Sequence, residues 1–183
     1  MTHEELTDLH AAVAAAETSE MKAEALNKLA IKYLELSRYN EAVLHAEKAR
    51  LLARNAVSIQ EEGTAYNILG NISIRRGDYQ IALEQLQQAL ALFESLNNKR
   101  RIAMAIGNIG LVYQNLLDYP NALEYYKKAL IIAEEIGNKS SVAINTGNIG
   151  TVHLHLANFT TALEYYSKSL TIYKELGSTH GVA

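Results

Sequence analysis

Apolar residues recur along this chain at the spacing of α-helices. In residues 103–142 one apolar stripe contains Ile106, Ile109 and Tyr113, and a second contains Tyr126 and Leu130. Neighbours within a stripe lie about three or four residues apart, which is the period of a helix that buries one face. The pattern therefore predicts two helices in this segment, joined by a short turn at residues 117–120.

The predicted helix pair repeats every 40 residues. Gly70, Gly110 and Gly150 occupy one phase, with Ala30 one period earlier, and aromatic residues occupy another at positions 39, 79, 119 and 159. Residues 103–142 and 143–182 share 18 of 40 residues without a gap. An identity this high at a fixed period indicates internal duplication, which is typical of a repeat protein.

The ends of the second helix in each repeat are marked by particular residues. Asp118 is predicted to cap the helix, Pro120 to lie in its first turn, and Gly137 to provide a left-handed residue at its end. Gly107 and Gly110 both fall inside a helix, where a glycine costs about 1 kcal/mol relative to alanine. We expect close contact between neighbouring helices, with Ala122 and Ala129 opposing these glycines, to offset that cost.

Composition excludes several classes of protein. The chain has 183 residues, of which 49% are apolar, with Lys+Arg 17 against Asp+Glu 20 and no Cys. The near balance of charge argues against nucleic acid binding, and the missing cysteines exclude thiol catalysis and disulfides. Long apolar segments and a basic N-terminal region are also missing, so we expect no membrane partner and a cytoplasmic location. No cofactor is expected.

The repeat resembles the tetratricopeptide repeat (TPR) family. The resemblance lies in residues that the family shares at these positions, namely Gly110, Tyr113, Tyr119, Ala122, Tyr126 and Ala129, and in the next repeat Gly150, Phe159, Ala162 and Tyr166. The usual repeat has about 34 residues, so the period of 40 is similar to the longer subclass of Pins-type adaptors, kinesin light chains and bacterial signalling proteins. The resemblance implies an all-α, right-handed solenoid of about four antiparallel helical hairpins plus an N-terminal helix.

The period divides the chain into consecutive segments. They are an N-terminal capping helix at 1–20, repeats at 23–62, 63–102, 103–142 and 143–176, and the start of a truncated further repeat at 177–183. A stack of hairpins curves, and its first helices line the concave side. A partner in that groove would meet a second stripe on the first helices, opposite the core. The candidate groove residues are Asn27, Asn67, Asn71, Arg75, Met104, Asn108, Leu111, Asn115, Asn148, Thr151 and His155.

Asparagine is a poor helix former, so its recurrence on this stripe needs a reason. A carboxamide both donates and accepts hydrogen bonds, so a series of them would bind the backbone of an extended peptide whatever its sequence. The alternative is that Asn108 and Asn148 bond within or between hairpins and hold the stack together. Arg75 and Arg76 would attract an acidic peptide or a carboxylate, together with the basic residues at 99–101 unless those lie in a solvated loop.

Two further features of the sequence receive structural interpretations. His153 and His155 are two residues apart on a helix and point in different directions, so they are not expected to bind one metal ion. His153 has the phase of Tyr113 and is predicted to be a packed ring. Tyr125 and Tyr165 are predicted to face outward or towards a neighbouring hairpin.

The sequence favours a scaffold for protein-protein interaction that binds a peptide or protein segment and is not an enzyme. Catalysis would need a nucleophile, a base and an orienting group, and no such set recurs in the repeats. The alternative is a regulatory or oligomerisation segment of a larger bacterial signalling protein, such as a nucleotide cyclase or kinase. In that case the exposed C-terminal hairpin would make homotypic contacts and form a homo-oligomer.

Overall fold

The computed structural model describes residues 2–177, and these form nine α-helices and no strands. The prediction of an all-α fold is therefore confirmed. Of the predicted segment 177–183, only Gly177 lies within the described residues. The helices are α1 (Thr2–Ala15), α2 (Ser19–Glu35), α3 (Tyr39–Asn55), α4 (Ile59–Arg76), α5 (Tyr79–Ser95), α6 (Lys99–Asn115), α7 (Tyr119–Glu135), α8 (Lys139–His155) and α9 (Phe159–Glu175).

The helices group into two compact units, which are described separately. Unit 1 comprises Met1–Asn97 and unit 2 comprises Asn98–Ala183. After α1, each even-numbered helix is the first helix of a hairpin and packs against the odd-numbered second helix that follows it. Within a unit, the second helix of one hairpin also packs against the first helix of the next, as α3 does on α4 and α7 on α8.

One backbone turn connects the helices from α2 onward. A residue with positive φ, between 54° and 83°, occurs every 20 residues from Ser37 to Gly177. The predicted ends of α7 are confirmed: the Asp118 side chain accepts a hydrogen bond from the Asn121 amide, Pro120 lies in the first turn, and Gly137 has a φ of 65°. Asn138 caps α8 in the same way, so hairpins begin about four residues before the predicted repeat boundaries.

The glycines at the phase of Gly110 each face a large side chain of the second helix in their own hairpin. A Cβ atom added to Gly70 would lie 2.7 Å from Cγ of Leu86, and one added to Gly110 would lie 2.9 Å from Cδ1 of Tyr126. The nearest atoms to the Gly110 position therefore belong to Tyr126 and Tyr125. Ala129 opposes Gly107 as predicted, with its Cβ 3.8 Å from the Cβ position of Gly107.

A second contact repeats within the hairpins, between a residue in the last turns of the first helix and one twelve positions later. The rings that stack there are Tyr33 on His45, Tyr113 on Tyr125 and His153 on Tyr165, with centroids 5.2 to 5.6 Å apart. The prediction that His153 is packed is confirmed. Tyr125 and Tyr165 do not face outward, because their rings stack on the first helix of their own hairpin, and Tyr165 also packs against the core cluster that includes Tyr126 of the neighbouring hairpin.

Helix α1 covers the first hairpin of unit 1. Its Leu6, Leu9 and Val13 pack against the core that contains Leu29 and Tyr33. Next to them, Nε2 of His10 lies 2.9 Å from the hydroxyl oxygen of Tyr33. Burial and the nearby charges of His10 and Lys48 lower the pKa of His45, against an opposing effect of Glu41. A neutral His45 ring is therefore favoured in the stack on Tyr33.

Candidate functional site

The first helices of unit 2 lie side by side and present a common face opposite their core stripe. Helices α6 and α8 contact each other directly. At matching positions near their N-termini, Met104 and Ile144 keep 37% and 48% of their surface exposed. One turn further along, Asn108 and Asn148 are half-buried at the next matching position. The structure therefore brings an apolar pair and a carboxamide pair together on one surface.

The same face continues to the C-terminal ends of these helices. Leu111 is half-buried against the core of unit 2, and Nδ2 of Asn115 donates to the Leu111 carbonyl oxygen at 2.8 Å. The hydroxyl of Thr151 donates to the Gly147 carbonyl oxygen and accepts a hydrogen bond from Tyr166, at 3.1 and 3.0 Å. Thr151 is therefore held by its own hairpin.

The two histidines of α8 pack against different helices. The ring of His155 stacks on Tyr119 at the start of α7, with centroids 5.6 Å apart. The ring of His153 stacks on Tyr165 of α9 at the same centroid distance. Because the two rings lie against opposite neighbours, they do not converge on a common point where an ion would be held.

Two predicted groove asparagines of unit 1 are buried. Asn27 is 2% exposed, and its Nδ2 donates to the backbone oxygen and to Oε2 of Glu61, at 3.0 and 2.9 Å. Asn67 is 5% exposed. Both residues have the phase of Gly107, one position before the phase of Asn108. That difference turns the Asn27 side chain towards α4, so Asn27 joins two hairpins.

The other two candidates of unit 1 lie at the C-terminal end of α4. Asn71 is half-buried, and its Nδ2 donates to the Asn67 carbonyl oxygen of the previous turn at 3.0 Å. Its Oδ1 atom is not used in that bond. Arg75 is exposed, and its neighbour Arg76 donates to Oδ1 of Asn40 at 2.7 Å. Thus Asn71 and Arg75 form a smaller polar surface on unit 1.

Sequence comparison identifies the repeats. Two tetratricopeptide repeat models match, one over residues 63–100 and one over residues 101–175. The chain belongs to the tetratricopeptide repeat family. A comparison with curated proteins finds no match. Within the described part of this TPR chain, the helices are too short or too polar to cross a membrane.

Solved structures with a similar fold include a phosphatase, a protein crystallised with a bound factor and a signal transduction ATPase. Aspartyl phosphate phosphatase F from Bacillus subtilis is 21% identical, with a TM-score of 0.81 over 91% of this chain and 44% of that one. A Rap protein complexed with the competence and sporulation factor is also 21% identical, with a TM-score of 0.85 over 91% and 47%. The STAND protein of Pyrococcus horikoshii, a signal transduction ATPase with a TPR sensor, is 18% identical, with a TM-score of 0.78 over 94% and 27%.

The chain spans less than half the length of each of these three structures. At these identities the similarity shows the fold alone. The side chains of this chain must therefore supply any argument about its partner.

Proposed function

We propose that this TPR chain binds an extended segment of a partner protein on its first helices, without catalysis of its own. On unit 2 the surface is the first-helix face, formed by Met104, Asn108, Leu111, Asn115, Ile144, Asn148, Thr151 and His155. On unit 1 the corresponding surface contains Asn71 and Arg75. The Rap protein that was crystallised with a factor supports this kind of function for the fold.

One observation carries the proposal. Two neighbouring helices present half-buried carboxamides at matching positions, next to apolar side chains at Met104 and Ile144 that are not covered. An extended peptide has backbone donors and acceptors on both edges and side chains that alternate in direction. Carboxamides suit the backbone and the apolar pair suits the side chains, so the arrangement matches an extended peptide.

Replacing Asn71, Asn108 and Asn148 together with alanine is expected to weaken partner binding by at least about tenfold, because each lost hydrogen bond contributes about 0.5–1.5 kcal/mol. The partner would first be captured with the purified chain and its binding segment mapped with overlapping peptides. Fluorescence anisotropy of the labelled segment would then give the Kd for each variant.

A matched control changes three exposed carboxamides of second helices, Asn55, Gln87 and Gln88, to alanine. This control should bind the peptide like the wild type, and both variants should keep the helical circular dichroism. Equal affinity of the wild type and the Asn71, Asn108 and Asn148 variant would show that the carboxamides do not bind the partner.

A second function is favoured by the outward side of α9. Phe159 and Leu163 are 66% and 67% exposed, whereas the matching Tyr119 and Leu123 of α7 are half-buried in the core that α8 completes. Apolar side chains at a stacking position suggest contacts with another copy of the chain. The chain would then act as an assembly segment of a larger signalling protein, much as a TPR sensor is part of the STAND protein.

Light scattering distinguishes this second function. The wild-type chain should increase in mass with concentration, whereas a variant with glutamate at Phe159 and Leu163 should remain monomeric. Glutamates at Leu44 and Leu51, which are similarly exposed on α3, provide the control and should leave self-association unchanged. A wild-type mass that stays monomeric at every concentration rules out homotypic contacts.

A further inference from the structure

Unit 2 contains a cavity on the side of its second helices, away from the first-helix face. It has a volume of about 510 Å³ and lies between α7, α8 and α9. Its apolar lining comes from Leu130, Val142, Tyr165 and Ile172. Sites that bind small organic groups typically have volumes of about 300–1,000 Å³ and a mostly apolar lining. The cavity is therefore large enough for a side chain from another molecule.

The matching positions of unit 1 carry larger side chains than two of the residues that line the cavity. Two repeat periods separate Leu130 from Arg50 and Thr146 from Tyr66. In unit 1 the guanidinium carbon of Arg50 lies 5.5 Å from the centroid of the Tyr66 ring. Arg50 is held in place by an ion pair with Glu47 at 2.8 Å. Leu130 and Thr146 are thus smaller than the guanidinium and phenol side chains at the matching positions of unit 1, whereas Tyr165 is larger than the matching Gln85.

The charges around the cavity favour a neutral group. Glu134 and Lys168 contribute one carboxylate and one ammonium to its border, and both residues are exposed. The Lys168 ammonium lies 5.5 Å from the centroid of the Tyr165 ring, where it interacts with the face of that ring. Since the two charges are opposite, neither an anionic nor a cationic ligand gains a net attraction. The apolar lining then dominates.

We propose that this cavity binds an aromatic side chain of a partner protein, at the place that the Tyr66 ring takes in unit 1. A tyrosine or phenylalanine buries about 150–250 Å² of apolar surface, and such anchors provide much of the affinity of protein interfaces. The cavity and the first-helix face are different surfaces. This inference therefore does not depend on peptide binding at the asparagines.

A titration with the side-chain analogue of tyrosine tests the proposal. Adding p-cresol to the isotope-labelled chain should shift the backbone amide signals of Thr146, Lys168 and Thr171 in a saturable way, with a Kd of about 1 mM. Isobutanol, an aliphatic compound that represents a leucine side chain, should bind at least about fivefold more weakly than p-cresol because it lacks the planar ring. The absence of saturable shifts at these amides, or equal binding of both probes, would overturn the proposal.

The chain itself supplies the variant that should close the cavity. Replacing Leu130 by arginine and Thr146 by tyrosine copies the pair of unit 1, and should weaken p-cresol binding by at least about tenfold. Thr146→Tyr alone serves the same purpose if the double variant loses its helical circular dichroism. The control places the same residue types at exposed positions, as Ile131→Arg with Thr160→Tyr, and should bind p-cresol normally. Unchanged p-cresol binding by the variant with Leu130→Arg and Thr146→Tyr would contradict the proposal.

A peptide selection then tests whether the natural occupant is an aromatic residue of a protein. Random peptides displayed on phage would first be depleted of those that bind the variant with Leu130→Arg and Thr146→Tyr. The remaining peptides would then be selected on the wild-type chain. The selected peptides should share a tyrosine, phenylalanine or tryptophan. A selected set without enrichment of aromatic residues contradicts the assignment to a protein partner.

Discussion

Alanine at Gly70 is expected to destabilise the wild-type chain but to stabilise a variant in which Leu86 is already alanine. In the wild type the new Cβ would lie 2.7 Å from Cγ of Leu86, which is fully buried. Overpacking of this kind costs about 1–3 kcal/mol. With alanine at position 86 the clash disappears, and the higher helix propensity of alanine adds about 1 kcal/mol.

Urea unfolding of the wild type, the two single variants and the double variant measures this coupling. Leu86→Ala alone should lower the free energy of unfolding by about 2–5 kcal/mol, because it leaves a cavity. The first hairpin has Ala30 and Ala46 at the same two positions, both fully buried, so the alanine pair is compatible with the fold. Additive effects of the two substitutions would show that Gly70 and Leu86 do not constrain each other.

Removing the Tyr126 side chain is expected to cost more than removing Tyr166, although the two tyrosines have the same position in consecutive repeats. Tyr126 is fully buried, in a cluster that includes Ile149 and Val152 of α8, and its hydroxyl donates to Oε1 of Gln114 at 2.9 Å. Truncation of such a side chain costs about 3–5 kcal/mol. Tyr166 is only half-buried, so less apolar surface is exposed when it is lost.

Chemical denaturation of Tyr126→Ala, Tyr126→Phe and Tyr166→Ala separates the contributions. The phenylalanine variant keeps the ring and loses one hydrogen bond, so it should lose only about 1 kcal/mol. If Tyr126→Ala and Tyr166→Ala lower the free energy of unfolding equally, the additional packing of Tyr126 against α8 does not stabilise the chain.

The sequence predicts the helical fold well because periodicity and turn chemistry are local properties. The two stripes in residues 103–142 correspond to α6 and α7, and Asp118 caps α7 through its own side chain as expected. The neighbours of each glycine are less predictable. A period places Gly110 on the buried side of its helix, but which facing side chain comes closest depends on side-chain length and direction, and at Gly110 it is Tyr126.

The candidate site shows the same limit more strongly. Asn27 and Asn108 differ by one position in the repeat, which corresponds to a rotation of about 100° around the helix axis. The sequence stripe was broad enough to include both, yet Asn27 bonds to Glu61 and Asn108 lies on the first-helix face. The cavity beside Thr146 was missed because a small residue in a sequence does not reveal whether its neighbours close over it. The sequence did contain one indication of this cavity: Leu130 and Thr146 stand at the repeat positions where unit 1 has Arg50 and Tyr66.

The shared turn geometry has a consequence for insertions and deletions. The chain reverses in the same way at Leu117, inside a hairpin, as at Gly137, between hairpins. The connections therefore do not distinguish one kind of helix from the other, and only the side chains do. Removing two consecutive helices would still leave first helices packed against second helices. Removing a single helix would keep the path of the backbone, but it would place two first helices or two second helices next to each other, and their side chains do not fit.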